Sequence, residues 1–267
     1  MKGPDLQTLP LADSHAHLDF PSFDKDRGGV VRRALAAGVE LMINVGFDLP
    51  SSRKAVELAA RYPSIYAAVG IHPHDAAAVP DDYLEQLELL AAAPGVVALG
   101  EMGLDFYRDR SPRPQQRRVF REQLALARRL NMPVILHDRD AHAALLEILK
   151  KDGLPPAGGV MHCFSGDLTL AREALGMGLH ISIAGPVTYS RNRDLQAVAA
   201  ALPAEMMLLE TDAPFLTPDP LRGRRNEPAY LAYTAEAVAA LRNCSAPALG
   251  AACLANTRRL FNCGGSP

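Results

Sequence analysis

The chain has 267 residues, of which 48% are hydrophobic and 22% charged, and its formal net charge is −2. This is the composition of a globular protein; it excludes a globally basic nucleic-acid coat but leaves room for a local positive patch. No apolar run is long enough to span a bilayer, and residues 1–11 lack the basic-then-apolar pattern of a secretion signal. Cys163, Cys244, Cys253 and Cys263 form no CxxC pair, and three of them fall on helical sequence near the C-terminus, a pattern of buried thiols rather than disulfides. A cytoplasmic setting is the expectation.

Taken in order, residues 9–12 begin a short buried strand that leads into Asp13-Ser14-His15-Ala16-His17-Leu18-Asp19. Residues 24–38 have helical spacing through Val30, Val31, Ala34 and Leu35 and stop at Gly38, a C-terminal cap. The apolar run 41–46 is followed by a helix from Ser51, its expected N-cap, to about Tyr62. Run 65–71 ends in His72-Pro73-His74. Helix 81–93 precedes run 96–99, which ends in Gly100-Glu101. An Arg-rich helix over 114–130 reads as a solvated face with no assigned function. Run 133–136 ends in His137, helix 141–151 follows, and run 159–161 ends in His162. Helix 168–177 leads to run 180–184, and helix 193–201 to run 206–209, which ends in Glu210-Thr211-Asp212. Helices over 229–241 and 246–261 complete the chain.

Eight apolar runs thus alternate with helices, and their continuous apolar character fits strands covered on both faces. The pattern predicts a single domain over residues 1–267, a (β/α)8 TIM-type barrel with a C-terminal helical extension. Such a barrel carries its catalytic groups at the C-terminal ends of its strands. Six runs end in a residue able to ligate a metal: His17, His72, Glu101, His137, His162 and Asp212. One histidine there is most often structural, and one carboxylate most often caps the next helix. Repetition at six ends argues for a shared site.

Four histidines and two carboxylates exceed one closed tetrahedral site and suit two divalent ions roughly 3.5–4 Å apart. In this reading His15, His17 and Asp212 hold one ion, His137 and His162 the other, and Glu101 bridges. Mixed nitrogen and oxygen ligation suits Zn2+, Mn2+, Co2+ or Ni2+ and admits a weakly held Mg2+. The loaded site carries a net charge of about +2, which attracts an anion and stabilises the charge of a phosphorane or tetrahedral intermediate. Water with its pKa lowered toward about 7 is the nucleophile, and Asp212 is the base.

Other residues take supporting positions. Asp13 shares a strand face with His15 and His17 and suits an orienting acceptor. Glu210 lies one layer below Asp212, where a hydrogen-bonding role is expected. For His72 two readings stay open: it donates to a substrate phosphate oxygen, or it only fixes the His-Pro turn; His74 is read as supporting. Arg139, two residues beyond His137, suits a phosphate contact, with a surface ion pair as the alternative. Arg222, Arg224, Arg225 and Asn226 follow the eighth run, where barrels build phosphate sites, and form the clearest local positive patch. Their alternative is pairing with Glu227 or Asp219.

The seven stretches 13–19, 70–74, 100–105, 137–141, 162–166, 210–214 and 222–228 together resemble the TatD family of metal-dependent deoxyribonucleases, within the amidohydrolase-like barrels. The resemblance covers nearly the whole chain; Phe106 stands where a Tyr is common and Arg224 where a Lys is common. It implies a dinuclear centre held by His15, His17, Glu101, His137, His162 and Asp212. It also implies phosphodiester hydrolysis on DNA, as a 3′-to-5′ exonuclease preferring single strands. D-aminoacyl-tRNA deacylation and amide hydrolysis on small cyclic substrates are the alternatives. The absence of a Lys at the fifth strand end, where a carbamylated bridge would sit, counts against the small cyclic amides.

Overall fold

A computed structural model describes residues 9–264; residues 1–8, part of the stretch whose composition argues against a secretion signal, lie outside them. Each expected apolar run forms a strand: β1 (Leu11–Ala16), β2 (Val39–Val45), β3 (Ile65–Val69), β4 (Val96–Asp105), β5 (Val134–Arg139), β6 (Gly159–Met161), β7 (Leu179–Ile183) and β8 (Met207–Leu209). Between and after them run α1 (Arg27–Ala36), α2 (Leu49–Arg61), α3 (Tyr83–Ala91), α4 (Arg113–Leu130), α5 (His142–Asp152), α6 (Leu168–Gly176), α7 (Arg193–Ala201), α8 (Leu231–Leu241) and α9 (Ala246–Phe261). The strands form one sheet in sequence order, and a parallel bridge between Ala16 and Ala213 joins its first and last members. This is a (β/α)8 barrel, with α9 as the C-terminal extension.

Two elements depart from expectation for local reasons. The strand expected to stop at Leu99 continues to Asp105, with a register irregularity between Leu99 and Met102. At Gly103, φ is +145° and a Cβ would lie 2.0 Å from the His137 carbonyl oxygen, so only glycine lets β4 and β5 run this close. The two glycines and Glu101 break the apolar pattern, which hid the second half of β4. Helix α2 begins at Leu49, two residues before the expected Ser51, because Asp48 is its N-cap. The Asp48 carboxylate accepts from Ser51 N–H at 2.7 Å while the Ser51 hydroxyl accepts from Asp48 N–H at 2.9 Å.

The chain divides into two compact units. One comprises the described residues up to Ile43, Cys163–Leu175 and the described residues from His180 onward; the other comprises Asn44–His162 with Gly176–Leu179. In the first, β1 is buried along its whole length, and α9 packs against β1 and β8. Asn256 on α9 donates to the carbonyls of Ala204 and Met207 at 2.7 and 2.9 Å, which fixes the start of β8. Cys253 and Cys263 are buried, which pushes both thiols up to about 12, whereas Cys244 is exposed rather than buried as expected.

In the second unit Leu99, Met102, Leu104, Val134, Ile135 and Leu136 are fully buried, each contributing roughly 1.5–3 kcal/mol through apolar burial. Helix α4 covers them with Val119, Phe120, Leu124 and Ala127. Its outer arginines pair with acids, as Arg113 with Asp109, Arg118 with Glu122 and Arg121 with Asp152, so the Arg-rich face is solvated and self-neutralised. Two buried glutamines on its inner face fasten strand ends. Gln123 accepts from Ile71 N–H at 2.8 Å and donates to the Ile71 carbonyl at 3.0 Å, and Gln116 does the same to Asp105 at 2.9 and 3.1 Å. Among the described residues, no single helix is long and apolar enough to cross a membrane.

The loop after β8 corrects two expectations. Asn226, expected to contact substrate, is fully buried: its Nδ2 donates to the carbonyls of Thr211 and Phe215 at 2.9 and 2.6 Å, and its Oδ1 accepts from Glu227 N–H at 2.9 Å. Arg225, expected to grip phosphate, instead forms a bidentate pair with Asp26 at 2.9 and 2.7 Å and lies 4.5 Å over the Phe23 ring. Its partner is neither Glu227 nor Asp219; Glu227 is taken by Arg33 at 2.8 and 2.6 Å. Both side chains close the loop, and a guanidinium already held by two carboxylate oxygens is a poor phosphate ligand.

Removing that pair should therefore affect stability rather than substrate binding. Arg225→Ala is expected to lower the unfolding free energy by about 0.5–1 kcal/mol. The Arg225 hydrogen bonds hold the Asp26 carboxyl down at about 2. A depressed folded-state pKa gives stability that is present above the unfolded value and lost as pH falls through the folded one. The difference in denaturation midpoint between wild type and Asp26→Asn should thus shrink between about pH 4 and pH 2. A difference constant across that range would contradict the pairing.

Candidate metal centre

In the first unit, alternation along β1 turns His15 and His17 to one side, and both are buried. Their Nε2 atoms lie 3.2 Å apart, with the rings at 80°. Asp212 follows β8 at φ +54°, its N–H donating to the His15 carbonyl at 2.9 Å. That bend brings its Oδ1 to 3.4 Å from His17 Nε2 and 3.8 Å from His15 Nε2. Two imidazole nitrogens and a carboxylate oxygen within 4.8 Å of one another are a set that could hold a cation.

Two carboxylates brace this cluster from below. Asp13 does not orient an imidazole: it accepts from Thr211 N–H at 2.9 Å, from the Thr211 hydroxyl at 2.5 Å and from His15 N–H at 3.3 Å, fixing the residue before Asp212. Burial pushes the Asp13 carboxyl up to about 7, against the opposing pull of the Thr211 bonds. Glu210 is fully buried and accepts from Cys163 N–H at 2.7 Å, holding the residue after His162 at φ +44°.

In the second unit, three imidazoles surround one oxygen. Glu101 Oε1 lies 2.6 Å from His137 Nδ1, 2.8 Å from His162 Nε2 and 3.4 Å from His72 Nε2. His137 Nδ1 is in turn 3.3 Å from both His162 Nε2 and His72 Nε2. The other nitrogens decide what these rings offer. His137 turns a nitrogen to each of two carboxylates, Nε2 to Asp105 Oδ2 at 3.3 Å and Nδ1 to Glu101 Oε1 at 2.6 Å. In His72, Nδ1 accepts from His74 N–H at 3.0 Å, so in the neutral ring the proton sits on Nε2. His72, Glu101 and His137 lie close enough together to hold a cation. The His74 bond is the one that fixes the His-Pro turn, and Nε2 of His72 points at the cluster.

Asp105 was not singled out from the sequence. It also accepts from His74 Nε2 at 2.8 Å and from the N–H groups of Tyr107 and Arg108 at 3.0 and 2.7 Å. Burial works to raise its pKa, but the hydrogen bonds from His137 and Arg108 override it and hold the carboxyl well below the usual range. Burial likewise opposes protonation of His137, yet the bonds to Asp105 and Glu101 raise its pKa, whereas burial followed by repulsion from His137 holds His72 well below its ordinary value. The signal for Asp105 was available: Glu101, Gly103 and Asp105 alternate on one face of β4, had the strand been read past Gly100.

The remaining arginines are exposed. The Arg139 guanidinium lies 4.1 Å over the Tyr107 ring and Arg222 lies 4.4 Å over Tyr189, while the Arg224 carbonyl accepts from the Thr217 hydroxyl at 2.6 Å. Arg139 and Arg224 form none of the ion pairs that engage Arg225 and Arg33.

The chain matches the TatD-related DNase family over residues 12–262. It is 43% identical to the uncharacterized metal-dependent hydrolase YabD of Bacillus subtilis, over 94% of this chain and 98% of that protein. It is 42% identical to the 3′-5′ ssDNA/RNA exonuclease TatD of Klebsiella pneumoniae, over 94% and 97% respectively. The crystal structure of YJJV, a TatD homologue from Escherichia coli K12, superposes with a TM-score of 0.91 at 37% identity, covering 96% of this chain and all of that one. With the barrel, the two ligand clusters and these relatives in agreement, the chain belongs to the TatD-related DNase family.

Proposed function

We infer that the protein is a cytoplasmic metal-dependent hydrolase that cleaves phosphodiester bonds of DNA, working from the 3′ end of single strands. The observation that carries this reading is the set of imidazole nitrogens around Glu101 Oε1, with His137 braced on its other side by Asp105. The nuclease name of the Klebsiella relative supports nucleic acid as substrate and the 3′-to-5′ direction. In this reading two divalent ions are held, one by His15, His17 and Asp212, the other by Glu101, His137 and His162. Zn2+, Mn2+, Mg2+, Co2+ and Ni2+ all accept such donors.

Bound there, divalent ions supply Lewis acidity, lowering the pKa of water and withdrawing charge from phosphoryl oxygens. The chain's own residues do the rest. Asp212, partly open to solvent, takes the proton of the attacking water. His72 donates its Nε2 proton to a phosphoryl oxygen, since its Nδ1 is engaged by the turn. Arg139 and Arg224 each contact backbone phosphates, as exposed guanidinium groups suited to two parallel hydrogen bonds.

End-labelled single-stranded DNA incubated with and without chelator tests the reading directly. Shortening from the 3′ end that chelator abolishes is expected; intact DNA together with deacylation of D-aminoacyl-tRNA would replace it with the ester-hydrolase alternative. Glu101→Gln should lose bound metal on dialysis and activity together, and wild-type metal content with normal turnover would remove Glu101 from the ligand set. Asp212→Asn should slow cleavage by about 10³-fold while circular dichroism reports an unchanged fold. Asp105→Asn should weaken metal affinity by about 10- to 100-fold, measured by competition with a chromogenic chelator, because His137 Nε2 loses its carboxylate partner.

A further inference from the structure

Phe215 is one of four large apolar side chains exposed among the described residues, at 45%; Leu35 and Leu89 lie on helices, and one face of Tyr107 carries the Arg139 guanidinium at 4.1 Å. Its ring centroid is 6.2 Å from that of His17, with the planes at 67°. Phe20 stands on another side at 5.3 Å and 75°. The backbone on both sides of the ring is fastened to the site: Phe215 N–H donates to the Asp212 carbonyl at 2.8 Å, and its own carbonyl accepts from Asn226 Nδ2 at 2.6 Å. An apolar ring left in water gains nothing for folding. Here it is held in place by the bonds that also fix the proposed ligand Asp212.

We propose that Phe215 is the platform on which the nucleobase beside the scissile phosphate stacks. The proposal rests on the phosphodiesterase reading and adds the recognition element that reading lacks. A phosphate handled by His17 and Asp212 carries its base one sugar away, within reach of a ring that touches His17. Stacking uses the π face that every base has, so it binds DNA without reading sequence. It also favours single strands, because a base within a duplex is already stacked on its neighbours and must be unstacked at a cost of a few kcal/mol before it can use the platform. The perpendicular contacts with Phe20 and His17 fix the ring's tilt, so little conformational entropy is lost when a base lands on it.

The test is a cycle of protein and substrate changes, scored as KM and kcat separately. Wild type, Phe215→Ala and Phe215→Trp are each given a single-stranded oligonucleotide with all its bases and the same strand with the last two 3′ nucleotides abasic. The two strands carry identical phosphates, so metal-centre chemistry is common to both. Wild type should show a KM about tenfold higher on the abasic-ended strand. Phe215→Ala should show that raised KM on both strands, with kcat and metal content near wild type, and Phe215→Trp should restore the discrimination. Phe215→Ala that still discriminates between the strands, or that loses kcat at unchanged KM, would overturn the platform and leave the nuclease reading standing. Absence of cleavage of the fully based strand by metal-loaded wild type would overturn both.

Discussion

Ionisable groups removed from water at strand ends must be satisfied by one another, and that requirement governs the site. An unpaired buried carboxylate costs several kcal/mol, yet Asp13, Glu101, Asp105 and Glu210 are all buried. Each is placed where donors converge. Asp105 takes four, from two imidazoles and two backbone N–H groups, and Asp13 takes three from Thr211 and His15. Glu101 Oε1 faces three imidazoles. The apolar strand interior below, from Leu99 to Ile135, supplies the stabilisation against which this polar layer is held.

The surrounding bonds also bear on the histidine protons. Both nitrogens of His137 face carboxylate oxygens, Nε2 toward Asp105 at 3.3 Å and Nδ1 toward Glu101 at 2.6 Å. In His72 the His74 N–H engages Nδ1 at 3.0 Å, which puts the proton of the neutral ring on Nε2. That nitrogen lies 3.3 Å from His137 Nδ1 and 3.4 Å from Glu101 Oε1. In the proposed reaction it would have a proton to offer a phosphoryl oxygen.

How much was legible in the sequence follows from whether a residue's partner is local. The eight strands were readable because burial on both faces makes them uninterrupted apolar runs, and the histidines because each directly follows such a run. Helix α2 was misplaced by two residues because Ser51 and Asp48 both fit an N-cap, and only the hydrogen bonds distinguish them. Asp105 was missed because Gly100 and Gly103, needed for close approach of β5, interrupt the pattern that would have extended β4 to it. Arg225 was misread for a different reason: Asp26 is 199 residues away in the chain, and no local rule pairs them. Asn226 looked like a loop polar residue, and its burial depends on how the loop folds over Thr211 and Phe215.

That loop explains how exposed ion pairs can matter to a buried cluster. Arg33 holds Glu227, whose N–H donates to Asn226; Asn226 holds the carbonyls of Thr211 and Phe215; Thr211 holds Asp13, which accepts from His15 N–H. Each link is a single hydrogen bond or ion pair, worth only about 0.5–1.5 kcal/mol alone. Their joint effect is to fasten Thr211, the residue before Asp212, on both sides. In the proposed roles of ligand and base, Asp212 would gain from being held before cation or proton arrives, because the ordering cost then belongs to folding and not to each turnover. Phosphate-binding arginines in the same loop would have to remain loose enough to meet a moving polymer. Arg225 is fastened and Arg224 exposed, so in the proposed reading the two demands fall on adjacent residues.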